Sequence, residues 1–195
     1  MFEIIENLID SYCAKTESLL DISALTIEHG LHSFRYGSSA FLSYMFSALS
    51  LQDGSLFYDL GSGYGKVLLY GAINFPNVQF KGIEIVPERY RVCNMLAEKF
   101  GLKNIQVTCA DILSSNLSDG DVFYIFNSLY NFQYDALFET LRAISKNKPI
   151  KVIAESRCDV FDRQEWLKVY DIVDIDILRK IKFYYSVSPE CSCRR

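Results

Sequence analysis

A chain of 195 residues, half of them hydrophobic, is long enough for one domain with a full core and short for two. Lys and Arg total 20 against 24 Asp and Glu, a formal charge of −4, which argues against stable DNA binding through phosphate contacts. The six cysteines are scattered, without the even spacing of a secreted disulfide framework, and predict a reducing, cytoplasmic setting.

The N-terminal stretch "MFEIIENLIDSYC" carries acids among its apolar residues and has no basic leader, so neither a signal peptide nor a membrane span is expected. Ile5, Leu8, Ile9 and Tyr12 mark one face of an amphipathic helix. The first fifty residues are helical by pattern and are expected to lie over the ligand-binding edge of the downstream sheet. His29 and His32 lie in "EHGLHS" with Glu28 but no nearby Cys, which reads as loop histidines and not as a metal pair.

From about residue 54 strands and helices alternate. "SLFYDL" reads as a buried strand and "KVLLYGAINF" as a helix that is apolar on most sides. "NVQFKGIEI" is the next strand; Pro87 then opens a helix and Gly101 stops it. "NIQVTCAD" and "DVFYIFN" are further strands, "YDALFETLRAISKNK" is a helix, and "IKVIAES" is a fifth strand. Two strand-like runs, "WLKVYDIVDIDIL" and "KIKFYYSVS", come next with Arg179 between them and imply a closing hairpin. Trp166 and the tyrosines of these runs read as core or rim. Cys191 and Cys193 read as tail. The predicted fold is α/β: a Rossmann-like, mostly parallel seven-stranded sheet with an antiparallel C-terminal hairpin, helices on both faces and an N-terminal helical extension.

The stretch Asp59-Leu60-Gly61-Ser62-Gly63-Tyr64-Gly65 ends the first strand and opens the first helix of the alternation. Leu60 and Val67 stand where a P-loop needs Gly and Ser or Thr. A dinucleotide fingerprint fits poorly as well, because its third glycine comes one residue early. The remaining ligand class is S-adenosylmethionine, which has no phosphate and wants an acid beside the glycines for its ammonium group; Asp59 is that acid. Tight packing alone also explains a glycine turn, and that reading stays open. Glu84 closes the second strand, where a carboxylate can accept from both ribose hydroxyls. Asp111 follows the third, where an acceptor for the adenine amine is useful, although either acid alone also reads as a loop carboxylate or helix cap.

On "DLGSGYGKV", "GIE" and "FNSLY", the stretch from about residue 34 to 155 resembles the class I, seven-strand S-adenosylmethionine-dependent methyltransferases. Within them it is most similar to the non-SET histone-lysine methyltransferases of the disruptor-of-telomeric-silencing type. The resemblance implies a single methyltransferase domain, with residues 1–50 as helical extension and lid and 51–195 as the Rossmann-like core. It implies that Arg35-Tyr36-Gly37-Ser38-Ser39 folds over the cofactor with Tyr36 as an aromatic lid; Ser38 replaces the family's acid there. Cofactor contacts are then expected from Tyr36, Asp59, Gly61, Ser62, Gly63, Gly65, Glu84, Asp111 and Asn127. Asn127 and Tyr130, in "FNSLY", stand at the reacting end of the fourth strand, where the lysine family carries N-x-x-F. An Asn carbonyl orients an attacking amine and an aromatic wall stabilises a cation. Asn127 as a mere helix cap with Tyr130 in the core is the plainer alternative. The expected activity is N-methyl transfer to a lysine of a protein substrate. Methylation of a small molecule or RNA, and a non-catalytic cofactor-binding module, are the alternatives.

Overall fold

A computed structural model describes residues 2–29, 39–175 and 180–187. Three helices precede the sheet: α1 (Phe2–Glu17), α2 (Ile22–His29) and α3 (Ser39–Leu49). The alternation then runs β1 (Leu56–Leu60), α4 (Lys66–Asn74), β2 (Gln79–Glu84), α5 (Pro87–Lys99), β3 (Ile105–Cys109), β4 (Val122–Phe126), α6 (Tyr134–Ser145) and β5 (Lys151–Glu155). A short α7 (Cys158–Asp162) precedes the hairpin β6 (Leu167–Asp174) and β7 (Lys180–Ser186).

Local chemistry explains most boundaries. Pro87 occupies the first turn of α5, where its missing N–H has no partner to lose, and Gly101 follows the helix at φ 64°. In α6 the buried residues Tyr134, Leu137, Phe138, Leu141 and Ile144 recur at helical spacing and face the sheet. The short α7 has no counterpart in the sequence reading. It starts after Ser156 (φ 63°) and Arg157 (φ 52°), a left-handed corner made without glycine and so without the usual sequence signal.

The strands form one sheet in the order β3-β2-β1-β4-β5-β7-β6, parallel from β3 to β5 and antiparallel at β5–β7 and β7–β6. The seven strands, the parallel body and the closing hairpin are as predicted. Chain order reverses between β1 and β4, and at such a switch point a crevice opens outside the carboxyl ends of the strands.

Both faces of the sheet are covered. On one, Tyr58, Leu60, Phe123, Ile125, Val152 and Ala154 meet α6 and α7. On the other, Phe57, Phe80, Tyr124, Ile153 and Phe183 meet α3 and α4, with the Phe46 ring of α3 lying 5.4 Å from that of Phe57 and 5.6 Å from that of Tyr70. The N-terminal helices take two different places. Ile5 and Ile9 of α1 pack on Tyr64 of the glycine turn, on Leu69 of α4 and on Leu96 and Ala97 of α5. α3 serves as a core helix on the sheet face. Of the amphipathic stripe on α1, Ile5 and Ile9 are buried while Leu8 and Tyr12 are half-buried against the same cluster, and the stripe was silent about their partners.

Trp166 and Tyr184 are buried, while Tyr170 and Tyr185 stand at the rim. Among the described residues no helix is long and apolar enough to cross a membrane, and no cluster of His, Cys, Asp and Glu could hold a metal ion.

Candidate active site

The turn after β1 is built on three left-handed glycines, Gly61 (φ 87°), Gly63 (φ 54°) and Gly65 (φ 76°). At two of them protein atoms fill the space a side chain would need. A Cβ on Gly61 would lie 2.1 Å from Ser128 Oγ, and one on Gly65 would lie 2.0 Å from Cys93 Sγ. The packing explanation therefore holds for Gly61 and Gly65. It ties the turn to the loop after β4 on one side and to α5 on the other.

The backbone donors of the turn are largely used within the protein. Gly61 and Ser62 N–H both donate to Ile83 O at 2.9 Å, Gly65 N–H donates to Ser62 O at 2.8 Å, and Gly63 N–H donates to Glu84 Oε2 at 2.7 Å. A nest of free N–H groups for a pyrophosphate is missing at these positions, in line with the exclusion of phosphate ligands from the sequence.

Glu84 ends β2 at 3 % exposure, with its second oxygen accepting from Val86 N–H at 2.9 Å. Burial raises its pKa, against the opposing effects of the Val86 N–H, Arg89 and the Gly63 N–H. Its observed work is to brace the turn, and each oxygen retains a lone pair for a hydroxyl. Asp59 differs. It is 3 % exposed, and among the described residues no hydrogen bond reaches its carboxylate. Burial first, then the charges of Glu84 and Glu155, hold its pKa well above the usual carboxylate range. Ser62 Oγ is likewise buried without a hydrogen-bond partner. An unsatisfied buried acid and hydroxyl at a switch point are what a site looks like when its polar partner is a ligand.

Asp111 stands just past β3, exposed, with Oδ1 accepting from Leu113 N–H at 2.9 Å as the cap of a single 3₁₀ turn, Ile112–Ser114. The helix-cap reading applies to that oxygen. Register brings the three acids to one edge: Leu60 lies beside Ile83, and Glu84 beside Cys109.

Beyond β4, Asn127 is exposed at φ 47° and its amide makes no hydrogen bond among the described residues. It does not cap the following helical turn, which begins at Asn131 behind Tyr130. Ser128 Oγ donates to Phe126 O at 3.0 Å and sits over Gly61, so the loop carrying Asn127 touches the glycine turn. Tyr130 is half-buried, its N–H donating to Gln133 Oε1 at 2.8 Å. Its ring stacks on Phe132 at 5.4 Å and 15°, and Phe132 is 77 % exposed. Tyr36 and the rest of 30–38, with His32, Cys191 and Cys193, lie outside the described residues.

Sequence reasoning missed Glu155. It ends β5 at 1 % exposure, accepts a hydrogen bond from Tyr124 OH, and contributes to the raised pKa of Asp59. The available signal was an acid closing the apolar run "IKVIAE". Phe132 and Ser128 were missed as well, since their roles depend on contacts distant in sequence or on exposure.

Residues 53–127 match the family described as "Putative methyltransferase", a stretch that holds the glycine turn and ends on Asn127. A curated relative, "Probable (S)-tetrahydroprotoberberine N-methyltransferase 2" of Papaver bracteatum, is 34% identical over 62 residues, 32% of this chain; the chain spans 17% of that relative's length. Among solved structures, a SAM-dependent methyltransferase from Aquifex aeolicus superposes with a TM-score of 0.64 at 18% identity, covering 90% of this chain and 98% of that one. An RNA methyltransferase from Salinibacter ruber, solved with S-adenosyl-L-homocysteine, gives 0.59 at 20% identity over 80% and 95% of the two chains. The fold is that of the class I S-adenosylmethionine-dependent methyltransferases.

Proposed function

We propose that the chain is an S-adenosylmethionine-dependent N-methyltransferase whose acceptor is the amine of a protein lysine. The observation that carries the cofactor is the buried, unbonded Asp59 carboxylate beside the orphaned Ser62 hydroxyl at the switch point. Asp59 would hold the ammonium group, Glu84 the ribose hydroxyls and Asp111 the adenine edge, with Tyr36 as lid and the Gly61–Gly65 backbone alongside. When bound, the cofactor supplies an electrophilic methyl group on a sulfonium.

The chain's own residues do the rest. The exposed Asn127 amide would accept a hydrogen bond from the attacking amine and aim its lone pair, and Tyr130 would wall the developing charge. Alignment accounts for most of the acceleration, and an apolar approach favours the neutral, nucleophilic amine. The acid-rich end of β1, β2 and β5 and the overall charge of −4 favour an amine acceptor over a phosphate-bearing one.

One observation supports a second reading. The exposed Phe132 ring stacked on Tyr130 offers a flat apolar face that suits a planar nitrogen in a nucleobase or small molecule. Incubation with methyl-labelled S-adenosylmethionine and a cell lysate, followed by separation of protein, nucleic acid and small molecules, tests both. Label in lysine is expected. Label in RNA, with transfer falling steeply as salt rises, would replace lysine with a nucleobase, because each phosphate contact adds to the salt slope. Tight S-adenosylhomocysteine binding with no transfer to any fraction would leave a binding module.

A further inference from the structure

The glycine turn is held from outside the sheet by α1. Tyr64 lies inside the turn with its ring fully buried among Ile5, Ile9, Leu69, Leu96 and Ala97, and its hydroxyl donates to Glu17 Oε1 at 2.7 Å. The same carboxylate takes two bonds from Arg89, Nε to Oε1 at 2.9 Å and Nη2 to Oε2 at 3.1 Å. Arg89, on α5, is 3 % exposed, and its charge acts on Glu84, the carboxylate that fixes Gly63 and Val86. At the other end of the turn Lys66 opens α4 with its Nζ buried and 2.6 Å from Glu6 Oε1. Glu6 and Glu17 lie about three helical turns apart, so one face of α1 presents both.

We propose that α1 is a clamp on the cofactor turn, with Glu17 and Glu6 as positioning residues that set the turn's shape through Tyr64, Arg89 and Lys66. The inference rests on the methyltransferase reading above. Its physical basis is that buried ion pairs add little net stability over apolar packing, while a bidentate Arg–carboxylate pair fixes geometry closely. The apolar contacts of Ile5 and Ile9 would be enough to dock α1. The charged contacts are sited on the two residues, Tyr64 and Lys66, that bracket the third glycine, and on Arg89 beside the acid that braces the second.

The test separates holding the turn from holding the fold. S-adenosylhomocysteine affinity is measured by calorimetry for the full chain and for Glu17→Gln, Tyr64→Phe and Ile9→Val, each at a temperature where circular dichroism shows it fully folded. Unliganded melting temperatures are measured alongside. Tyr64→Phe removes one hydroxyl from a core that stays packed, so it serves if Glu17→Gln fails to fold. Glu17→Gln and Tyr64→Phe are expected to weaken binding about 10-fold, within the range for coupling through packed side chains, while Ile9→Val lowers the melting temperature and leaves affinity within about twofold. In methyl-transfer assays the same loss should appear as a higher KM for S-adenosylmethionine, in step with the weaker binding. Unchanged affinity in Tyr64→Phe, or affinity that follows melting temperature across all three variants, overturns the clamp alone. Absence of binding by the unsubstituted chain overturns the clamp together with the methyltransferase reading.

Discussion

Gly61→Ala is the sharpest test of the link between the glycine turn and the loop after β4. The new methyl would meet Ser128 at 2.1 Å from Oγ and 2.4 Å from Cβ, on a backbone held at φ 87°. A non-glycine residue in a left-handed conformation costs about 1–2 kcal/mol, and forcing a methyl into a packed contact typically about 1–3 kcal/mol more. The sum, about 2–5 kcal/mol, is a large share of a domain's usual total. Ser128→Gly removes both clashing atoms, so the double variant should recover the steric part and keep only the backbone cost of about 1–2 kcal/mol. Urea unfolding of the four proteins gives the coupling directly. A double variant as unstable as Gly61→Ala would show that the Ser128 contact is not what requires a glycine there. Recovery of stability without recovery of transfer activity would still be informative, because Ser128 follows Asn127 directly and the substitution alters the loop that carries it.

Two further outcomes are expected. The raised pKa of Asp59 means that the free folded protein holds a proton longer than the unfolded chain, so stability falls as pH climbs from the ordinary carboxylate pKa towards the raised one. A ligand ammonium needs the ionised acid, so S-adenosylhomocysteine binding should tighten by up to about tenfold per pH unit on that limb and weaken again once the ligand amine deprotonates. Calorimetry across pH shows this, and an acid limb that survives Asp59→Asn would assign the proton elsewhere. Asn127→Ala should lower methyl transfer by about 10²-fold through lost alignment while S-adenosylhomocysteine affinity stays nearly intact. Equal losses in both would move Asn127 from the acceptor to the cofactor.

The fold was legible because its signals are local. Pro87 and Gly101 bracket α5, the spacing of Leu137, Leu141 and Ile144 marks α6, and the change from alternation to two consecutive strand runs announces the hairpin. The places of Asp59 and Glu84 at the ends of β1 and β2 and of Asp111 just past β3 were legible for the same reason, since each strand is readable. What sequence did not reveal is long-range. That Gly61 and Gly65 face Ser128 and Cys93 depends on the loop after β4 and on α5 folding back. The left-handed conformation of Ser156 and Arg157 leaves no mark, because neither residue type favours it. Glu155 could not be told from a rim carboxylate until Tyr124 was found bonded to it across the β4–β5 pair.

The two faces of the sheet divide the labour. Side chains alternate along a strand, so Phe57 and Asp59 share one face of β1 with Phe80 and Glu84 of β2 and Ile153 and Glu155 of β5, while Tyr58 and Leu60 point to the other. All three buried acids therefore emerge on the face covered by α3. The last carbonyl of that helix, Leu49 O, accepts from Lys151 Nζ at the amino end of β5. Helix α3 is about 16 Å long, close to the length of the strands beneath it, so its first residue, Ser39, lies towards the carboxyl edge. The amino end of α3 thus stands towards the edge where Asp59, Glu84 and Glu155 gather. The opposite face, closed by α6 and α7 over apolar residues, carries none of the three.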